Sequence, residues 1–285
     1  MRCEAREVYH EFEKKFVEWA KTVDDIRAAF VVGSRARHDH PADDNSDLDI
    51  VMYTSSPQGY LMDSKWVENI GKPICSFVYQ TAGGDPERLC LFEGGWQVDF
   101  VIHPYNKLQD MIRTQSIPTF FHRGVRTLID KEKMSANIIP KSFKKPEQNK
   151  INEELFIQHV NMFWFTTLYT AKQIMRGEMW VAKARDGNIK ELLLQMMEWY
   201  SKTINGDDYD TWHAGRFLNE WAPEDVLVDL SHCFGHYDKH DSLRALNATL
   251  TLYSRISQHI ANTLDYVYPV HIEKSVKDWI KAHKK

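Results

Sequence analysis

Three aspartates stand in stretches of sequence where a charged side chain is costly. Asp47 and Asp49 belong to an apolar run, Ser46-Asp47-Leu48-Asp49-Ile50-Val51-Met52, which predicts a strand. Asp99 lies inside a second such run, at 98–102. Because successive side chains on a strand point to opposite faces, Asp47 and Asp49 are predicted to share one face. Adjacent carboxylates repel unless a cation lies between them, so the pattern favours a divalent metal site over a general acid/base pair.

A Gly-Ser turn precedes these acids. The run Phe30-Val31-Val32 predicts a strand, and Gly33 and Ser34 follow it directly. Gly33 lets the backbone come close to a ligand, the Ser34 hydroxyl can donate to a phosphate, and a turn that opens into a helix leaves N–H groups for anionic oxygens. Gly-Ser alone is a weak signal, and each acid alone could be a surface position on a half-buried strand. Their combination favours phosphate chemistry at a metal site.

The elements that position these residues predict an α/β or α+β domain. A hairpin joined by Glu93-Gly94-Gly95 would carry Asp99 into a sheet beside the first two acids. Apolar spacing and turn residues also predict a helix over 4–22, a strand over 28–32, a short helix over 63–70, and strands over 74–79, 89–92 and 96–102.

The second half of the chain is predicted to be helical. Apolar residues recur in steps of three and four over 155–174, 192–200 and 243–267, which is typical of helices that pack against a common core. Between the halves, lysines and prolines cluster over 141–150 and predict an exposed linker. We therefore expect a sheet domain over 1–140, a linker over 141–150 and an all-helical domain over 151–285.

Composition excludes several classes of protein. The 285 residues carry a formal net charge of −4, which argues against a protein whose main task is to grip a nucleic-acid backbone. No apolar run approaches the roughly 18 residues of a membrane span. The N-terminus is charged from its start, and the four cysteines are widely scattered, as in proteins of a reducing cytosol. We expect a cytoplasmic protein that binds neither membrane nor nucleic acid, as a monomer or weak oligomer.

Other candidate sites have weaker support. His232, His236 and His240 lie four residues apart and could stack on one helix face as zinc ligands, although Gly235 and the neighbouring aspartates indicate a loop. His38 and His40 flank Asp39, and metal binding by this group has equally weak support. The chain has no Gly-x-x-x-x-Gly-Lys-Ser/Thr motif and no kinase-like catalytic loop, so it predicts neither a P-loop NTPase nor an ordinary kinase.

The order of a Gly-Ser turn, an Asp-x-Asp strand and a later strand aspartate resembles the nucleotidyltransferase superfamily. Longer stretches are similar to the aminoglycoside 6-adenylyltransferases, which modify streptomycin. They are spread over most of the chain: 30–52 with Gly-Ser-Arg and Asp-Leu-Asp-Ile, 91–102, 128–132, 161–164 and 196–199. Around 183–190 the chain is shorter than the family pattern.

This resemblance implies a two-domain α+β enzyme, with a nucleotidyltransferase-type mixed sheet and flanking helices followed by an all-helical domain that contributes to the acceptor pocket. AMP would pass from ATP to an aminoglycoside hydroxyl, first the 6-hydroxyl of streptomycin, with release of pyrophosphate and resistance to the antibiotic. Gly33, Ser34 and Arg35 match the nucleotide-binding turn. Asp47, Asp49 and Asp99 match the carboxylates that bind magnesium, as two ions, and Asp99 is the expected general base.

The acceptor is left open by these arguments. A polycationic aminoglycoside would pair with carboxylates, and acids of the helical half are candidates: Asp186, Glu198 and the group Asp207, Asp208 and Asp210. The alternatives are a nucleotidyltransferase that acts on another antibiotic, a protein or an RNA, and a catalytically silent nucleotide-binding module. An RNA-directed enzyme should show a basic channel.

Overall fold

A computed structural model of the chain describes residues 2–142 and 150–283. The chain divides into two compact units, Met1–Pro146 and Glu147–Lys285. Most of the predicted linker, at 143–149, lies outside the described residues.

The first unit is built on six strands: β1 Ile26–Val32, β2 Leu48–Thr54, β3 Pro73–Gln80, β4 Pro86–Phe92, β5 Trp96–Pro104 and β6 Arg126–Asp130. They form a mixed sheet in the order β3-β4-β5-β2-β1-β6. The pair β2 and β5 is parallel, and the other neighbours are antiparallel. The predicted hairpin is confirmed as β4 and β5.

Helices cover the two faces of this sheet differently. The first helix, α1 (Arg2–Thr22), turns its apolar stripe of Tyr9, Phe12, Phe16 and Ala20 onto one face, as its steps of three and four residues predict. The opposite face is covered over β1 and β2 by α3 (Tyr105–Thr114), through Leu108 and Met111.

The short helix predicted over 63–70 is misplaced. The chain instead forms α2 (Pro57–Met62) and a 3₁₀ turn at Lys65–Asn69, with Asp63 in an extended conformation between them. Pro57 explains the earlier start, because a proline in the first helical turn loses no hydrogen bond.

The second unit is all-helical, as predicted. Its helices are α4 Glu153–Arg176, α5 Met179–Asn205, α6 Leu218–Trp221, α7 Glu224–Ser231, α8 Lys239–Leu264 and α9 Val270–His283. Local signals set several limits: Asn152 caps the start of α4 by accepting from the Leu155 amide at 2.8 Å, and Gly177 ends it with a left-handed conformation. Along the described parts of the chain, no helix is both long and apolar enough to cross a membrane.

The α1-covered face should provide most of the sheet's stability. Phe100 is fully buried there, with ring centroids 5.8 Å from Phe16 and 4.9 Å from Trp66. We expect Phe100→Ala to lower the free energy of unfolding by about 3–5 kcal/mol. Phe77→Ala, at a side chain that is 52% exposed, should change it by less than about 1 kcal/mol. Urea denaturation followed by circular dichroism measures both, and equal losses would contradict this assignment of the core.

Candidate active site

The three predicted aspartates meet at one end of the parallel pair. Asp49 on β2 lies directly beside Asp99 on β5 in the strand register. One carboxylate oxygen from each of Asp47, Asp49 and Asp99 lies within 4.8 Å of the others, and all three residues are partly buried. The predicted convergence of these acids is confirmed, and their roles in catalysis and metal binding stay predictions.

Asp47 reaches the site by a different route from the one predicted. It precedes β2, which begins at Leu48, so the strand ladder does not position it. Arg35 does: its guanidinium donates from Nε to the Asp47 carbonyl oxygen at 2.8 Å and from Nη2 to the Ser46 carbonyl oxygen at 2.6 Å. Arg35 was predicted to bind the nucleotide, and the structure shows it holding the loop that presents Asp47.

Tyr9 of α1 supports this arginine. The Arg35 guanidinium carbon lies 3.6 Å from the centroid of the Tyr9 ring, a cation–π contact. The Tyr9 hydroxyl accepts a hydrogen bond from the Gln97 amide at 3.4 Å, two residues before Asp99 on β5. One helix side chain therefore links the segments that carry Asp47 and Asp99. Sequence reasoning missed this, because Tyr9 has the spacing of an ordinary core position.

The Gly33-Ser34 turn lies against Asp49. Gly33 has a left-handed φ of +66°, and a Cβ atom on it would come 2.2 Å from Asp49 Oδ2. The turn opens into a single 3₁₀ turn, Gly33–Arg35. The Ser34 hydroxyl oxygen is buried and has no hydrogen-bond partner among the described residues, which fits a ligand oxygen as its partner.

A cleft of about 1120 Å³ opens beside this turn. Ser34 and Arg35 line it together with Arg6, Arg37 and Arg126, which come from three separate segments. Arg126 is paired with Glu13, through Nη1 to Oε2 at 2.9 Å and Nη2 to Oε1 at 2.6 Å. Acids line the cleft as well, at Glu7, Glu13, Asp43 and Asp44, so its wall carries charges of both signs. Only the fold brings the arginines together, so no local motif could have revealed them.

The electrostatics of the acids follow from their crowding. Burial raises the pKa of Asp99 to about 7, and the charges of Asp49 and Asp47 act in the same direction. A hard divalent cation would relieve this repulsion, because carboxylate oxygens are the ligands it prefers. The donor set, its span and the adjacent partnerless Ser34 hydroxyl fit a divalent metal with a phosphate.

The histidine candidates do not form a metal site. Helix α7 ends at Ser231 and α8 begins at Lys239, so His232, His236 and His240 do not share a helix. His236 instead contacts Asp241, with Nδ1 2.9 Å from Oδ2. His38 and His40 are not part of a metal-binding group either: within the described chain, Asp47, Asp49 and Asp99 are the only cluster of three or more potential metal ligands.

The acids predicted for the acceptor differ in their surroundings. Asp186 pairs with Lys190 and Asp207 with Lys150, each at 2.7 Å. Asp208 is exposed, and Asp210 accepts from the Trp212 amide at 3.1 Å. Glu198 on α5 accepts from Gln195 at 2.9 Å, and burial raises its pKa to about 7.

A family model described as streptomycin adenylyltransferase matches residues 6–283. The chain belongs to this family. It is accordingly an enzyme of the aminoglycoside nucleotidyltransferase class. Related proteins include the aminoglycoside 6-adenylyltransferase of Campylobacter jejuni, 24% identical over 94% of this chain and 93% of that protein. The protein of the same name from Bacillus subtilis is 22% identical over 92% and 93%.

Two solved structures are also similar to this adenylyltransferase. An aminoglycoside 6-adenyltransferase from Bacillus subtilis has a TM-score of 0.46 and 16% identity, over 95% of this chain and 96% of that one. A nucleotidyltransferase-like protein from Exiguobacterium sibiricum has a TM-score of 0.31 and 10% identity, over 87% and 75%.

The contact between Gly33 and Asp49 gives a test of the turn. Gly33→Ala places a methyl group 2.2 Å from Asp49 Oδ2 at a strained backbone conformation, so Asp49 must move. We expect adenylyltransferase activity to fall about 100-fold or more, since misplacing a catalytic group by about 1 Å has that effect. Gly84→Ala, with nothing within 4 Å of the added carbon and a φ of +82°, is the matched control. Equal activity in the two variants would contradict the role of Gly33.

The raised pKa of Asp99 predicts a pH-dependent cost in stability. The folded protein holds the Asp99 proton more tightly than the unfolded chain does. This proton therefore stabilises the fold at low pH, and the stabilisation is lost as the pH rises from about 4 through about 7. Asp99→Asn removes the charge.

We expect the Asp99→Asn variant to be more stable than the metal-free wild type at pH 8. Each pKa unit corresponds to about 1.4 kcal/mol and solvent screening reduces that value, so the gain should be about 1–3 kcal/mol. The gain should be smaller at pH 5. Thermal unfolding in EDTA measures it, and a gain that is equal at both pH values would show that the buried charge of Asp99 is not its cause.

Proposed function

We propose that this adenylyltransferase transfers AMP from ATP to a hydroxyl group of an aminoglycoside, with streptomycin and its 6-hydroxyl as the first acceptor to test. The acceptor oxygen forms a bond to the α-phosphorus while the bond from that phosphorus to the bridging oxygen breaks. Pyrophosphate leaves with the electron pair. The family supports the aminoglycoside, and the meeting of three carboxylates beside a phosphate-suited turn is the observation that carries the proposal.

The phosphate-binding residues lie on one side of the acids. The partnerless Ser34 hydroxyl would donate to a phosphate oxygen, and Gly33 lets the turn approach it. The cleft beside them, which arginines and acids line together, would admit the triphosphate. Arg35 is assigned to positioning Asp47, because two of its donors are already bonded to backbone carbonyl oxygens.

The acids would serve two roles. Asp47, Asp49 and Asp99 would hold magnesium, as two ions. When bound, such ions would supply positive charge for the phosphate oxygens and for the attacking and leaving oxygens. Asp99, whose carboxylate belongs to this cluster, would also accept the proton of the acceptor hydroxyl as the general base.

The direct test is an incubation of the protein with magnesium, labelled ATP and a panel of aminoglycosides. Transfer of AMP to streptomycin with release of pyrophosphate would support the proposal. Transfer only to another antibiotic, a protein or an RNA would change the acceptor, and tight ATP binding without transfer would favour a silent module.

The carboxylates should be indispensable to this transfer. We expect Asp47→Asn and Asp49→Asn each to lower kcat by about 10³-fold or more, since each removes a ligand charge from the proposed metal site. Asp110→Asn removes the same charge from an exposed ion pair with Arg113 on α3 and is the control. Near-normal rates in either site variant, with circular dichroism unchanged, would remove that residue from the site.

A further inference from the structure

The sheet continues past the aspartates on the same face. In the strand register Asp49 lies beside Asp99, Asp99 beside Leu89 on β4, and Leu89 beside Phe77 on β3. Residues paired directly across strands place their side chains on the same face. An apolar surface therefore begins at Asp99 and extends to the edge of the sheet.

A fourth carboxylate lies in the next row of this surface. Glu87 is paired with Val101 on one side and Tyr79 on the other, two residues along from the Asp99 row. Its near neighbour Asp85 is neutralised by Lys107 at 2.9 Å. Glu87 itself has neither an ion pair nor a hydrogen bond from any side chain that the structure describes. A half-buried carboxylate without a cation is costly, which makes it a ready site for a cationic ligand.

This part of the face is open. Helix α3 packs over β1 and β2, whereas Phe77 on β3 is 52% exposed and Tyr79 is 63% exposed. The other face of β3 exposes an apolar side chain as well, at Val78, so exposure alone does not mark a ligand site. The rings on this face differ in lying beside the Glu87 carboxylate.

The phosphate-binding turn lies on the opposite side of the acids. In the strand order, β1 leads into Gly33 and Ser34 on one side of β2 and β5, and β4 and β3 lie on the other side. In an in-line displacement the attacking and leaving groups occupy opposite sides of the phosphorus. Pyrophosphate held near Ser34 would therefore leave the β4 side for the acceptor.

We infer that Phe77, Tyr79, Glu87 and Leu89 form an acceptor face that binds a cationic group and an adjoining sugar ring of the aminoglycoside. This inference rests on the proposed function and deepens it. The Glu87 carboxylate pairs with a guanidinium or ammonium group of the acceptor, and the aromatic rings contact its charged and apolar parts. Glu87 would repel an anionic ligand, so the triphosphate belongs on the other side.

The test compares variants of the whole protein with streptomycin as the probe, because its guanidinium groups stay charged. In Glu87→Gln we expect the KM for streptomycin to rise roughly 10- to 100-fold, as expected for the loss of a hydrogen bond between charged groups, and the KM for ATP to stay within about twofold. Glu93→Gln removes the same charge from an exposed position in the β4–β5 turn and should change neither constant.

A second pair of variants tests the aromatic part. Phe77→Ser should raise the KM for streptomycin about 3- to 10-fold, since an exposed cation–π contact is worth about 0.5–1 kcal/mol and some apolar contact is lost with it. Val78→Ser is the control, because Val78 is 44% exposed and is paired with Arg88 on the other face of the same strand. It should leave the constant unchanged.

Calorimetric binding of streptomycin to each protein separates this inference from the proposed function. Transfer of AMP to streptomycin with a KM and an affinity that do not depend on Glu87 would overturn the acceptor face alone. Binding that depends on Glu87 without any transfer would support the face and overturn the proposed function. A rise in the KM for ATP that equals the rise for streptomycin would place the nucleotide on this face and would overturn the inference.

Discussion

Electrostatic repulsion among three carboxylates is the constraint on which the rest of the site depends. Asp49 and Asp99 are adjacent because β2 and β5 run parallel, the one parallel pair in the described sheet. A parallel neighbour requires a long connection, and in this chain that connection contains α2 and the strands β3 and β4. The connection between β2 and β5 therefore also forms the part of the sheet that lies beyond the two acids.

Separate parts of the chain hold the acids against this repulsion. The strand ladder holds Asp49 and Asp99, and the Arg35 guanidinium holds Asp47 through backbone carbonyls. Tyr9 lies under that guanidinium and also receives the Gln97 amide of β5. A cation–π contact and a few hydrogen bonds thus set the position of Asp47 relative to the strands. Arg35 and Tyr9 are themselves fixed by these contacts, and side chains fixed in this way hold a charged group rigidly.

The sequence predicts the parts of this site that local patterns encode. An acid between Val98 and Phe100 is unusual enough to reveal Asp99, and the two glycines after Glu93 reveal the hairpin that carries it. Local patterns do not encode the position of Asp47 outside β2, because it depends on an arginine twelve residues away. Local patterns also miss Glu87. Its significance comes from its pairing with Val101 in the sheet and from Lys107, which forms its ion pair with Asp85.

The helical candidates illustrate the same limit. Steps of three and four residues predict α4, α5 and α8, because burial of one face requires that period. The four-residue spacing of His232, His236 and His240 has an identical form, yet a loop separates α7 from α8 there. A periodic pattern is informative when the residues are apolar and must be buried, and much less so when they are polar and well solvated in water.

Side chains alternate between the two faces of β5, so one face of this strand contributes to the core and the other carries a site residue. Val98, Phe100 and Ile102 are fully buried against the α1 side, while Asp99 between them points to the opposite face. The apolar residues offset the cost of holding a half-buried charge in the same strand. At the edge, β3 has no buried residue, so its side chains contribute little to the core. Substitutions on β3 can therefore alter what the open face binds while the strands that align Asp49 and Asp99 stay in place.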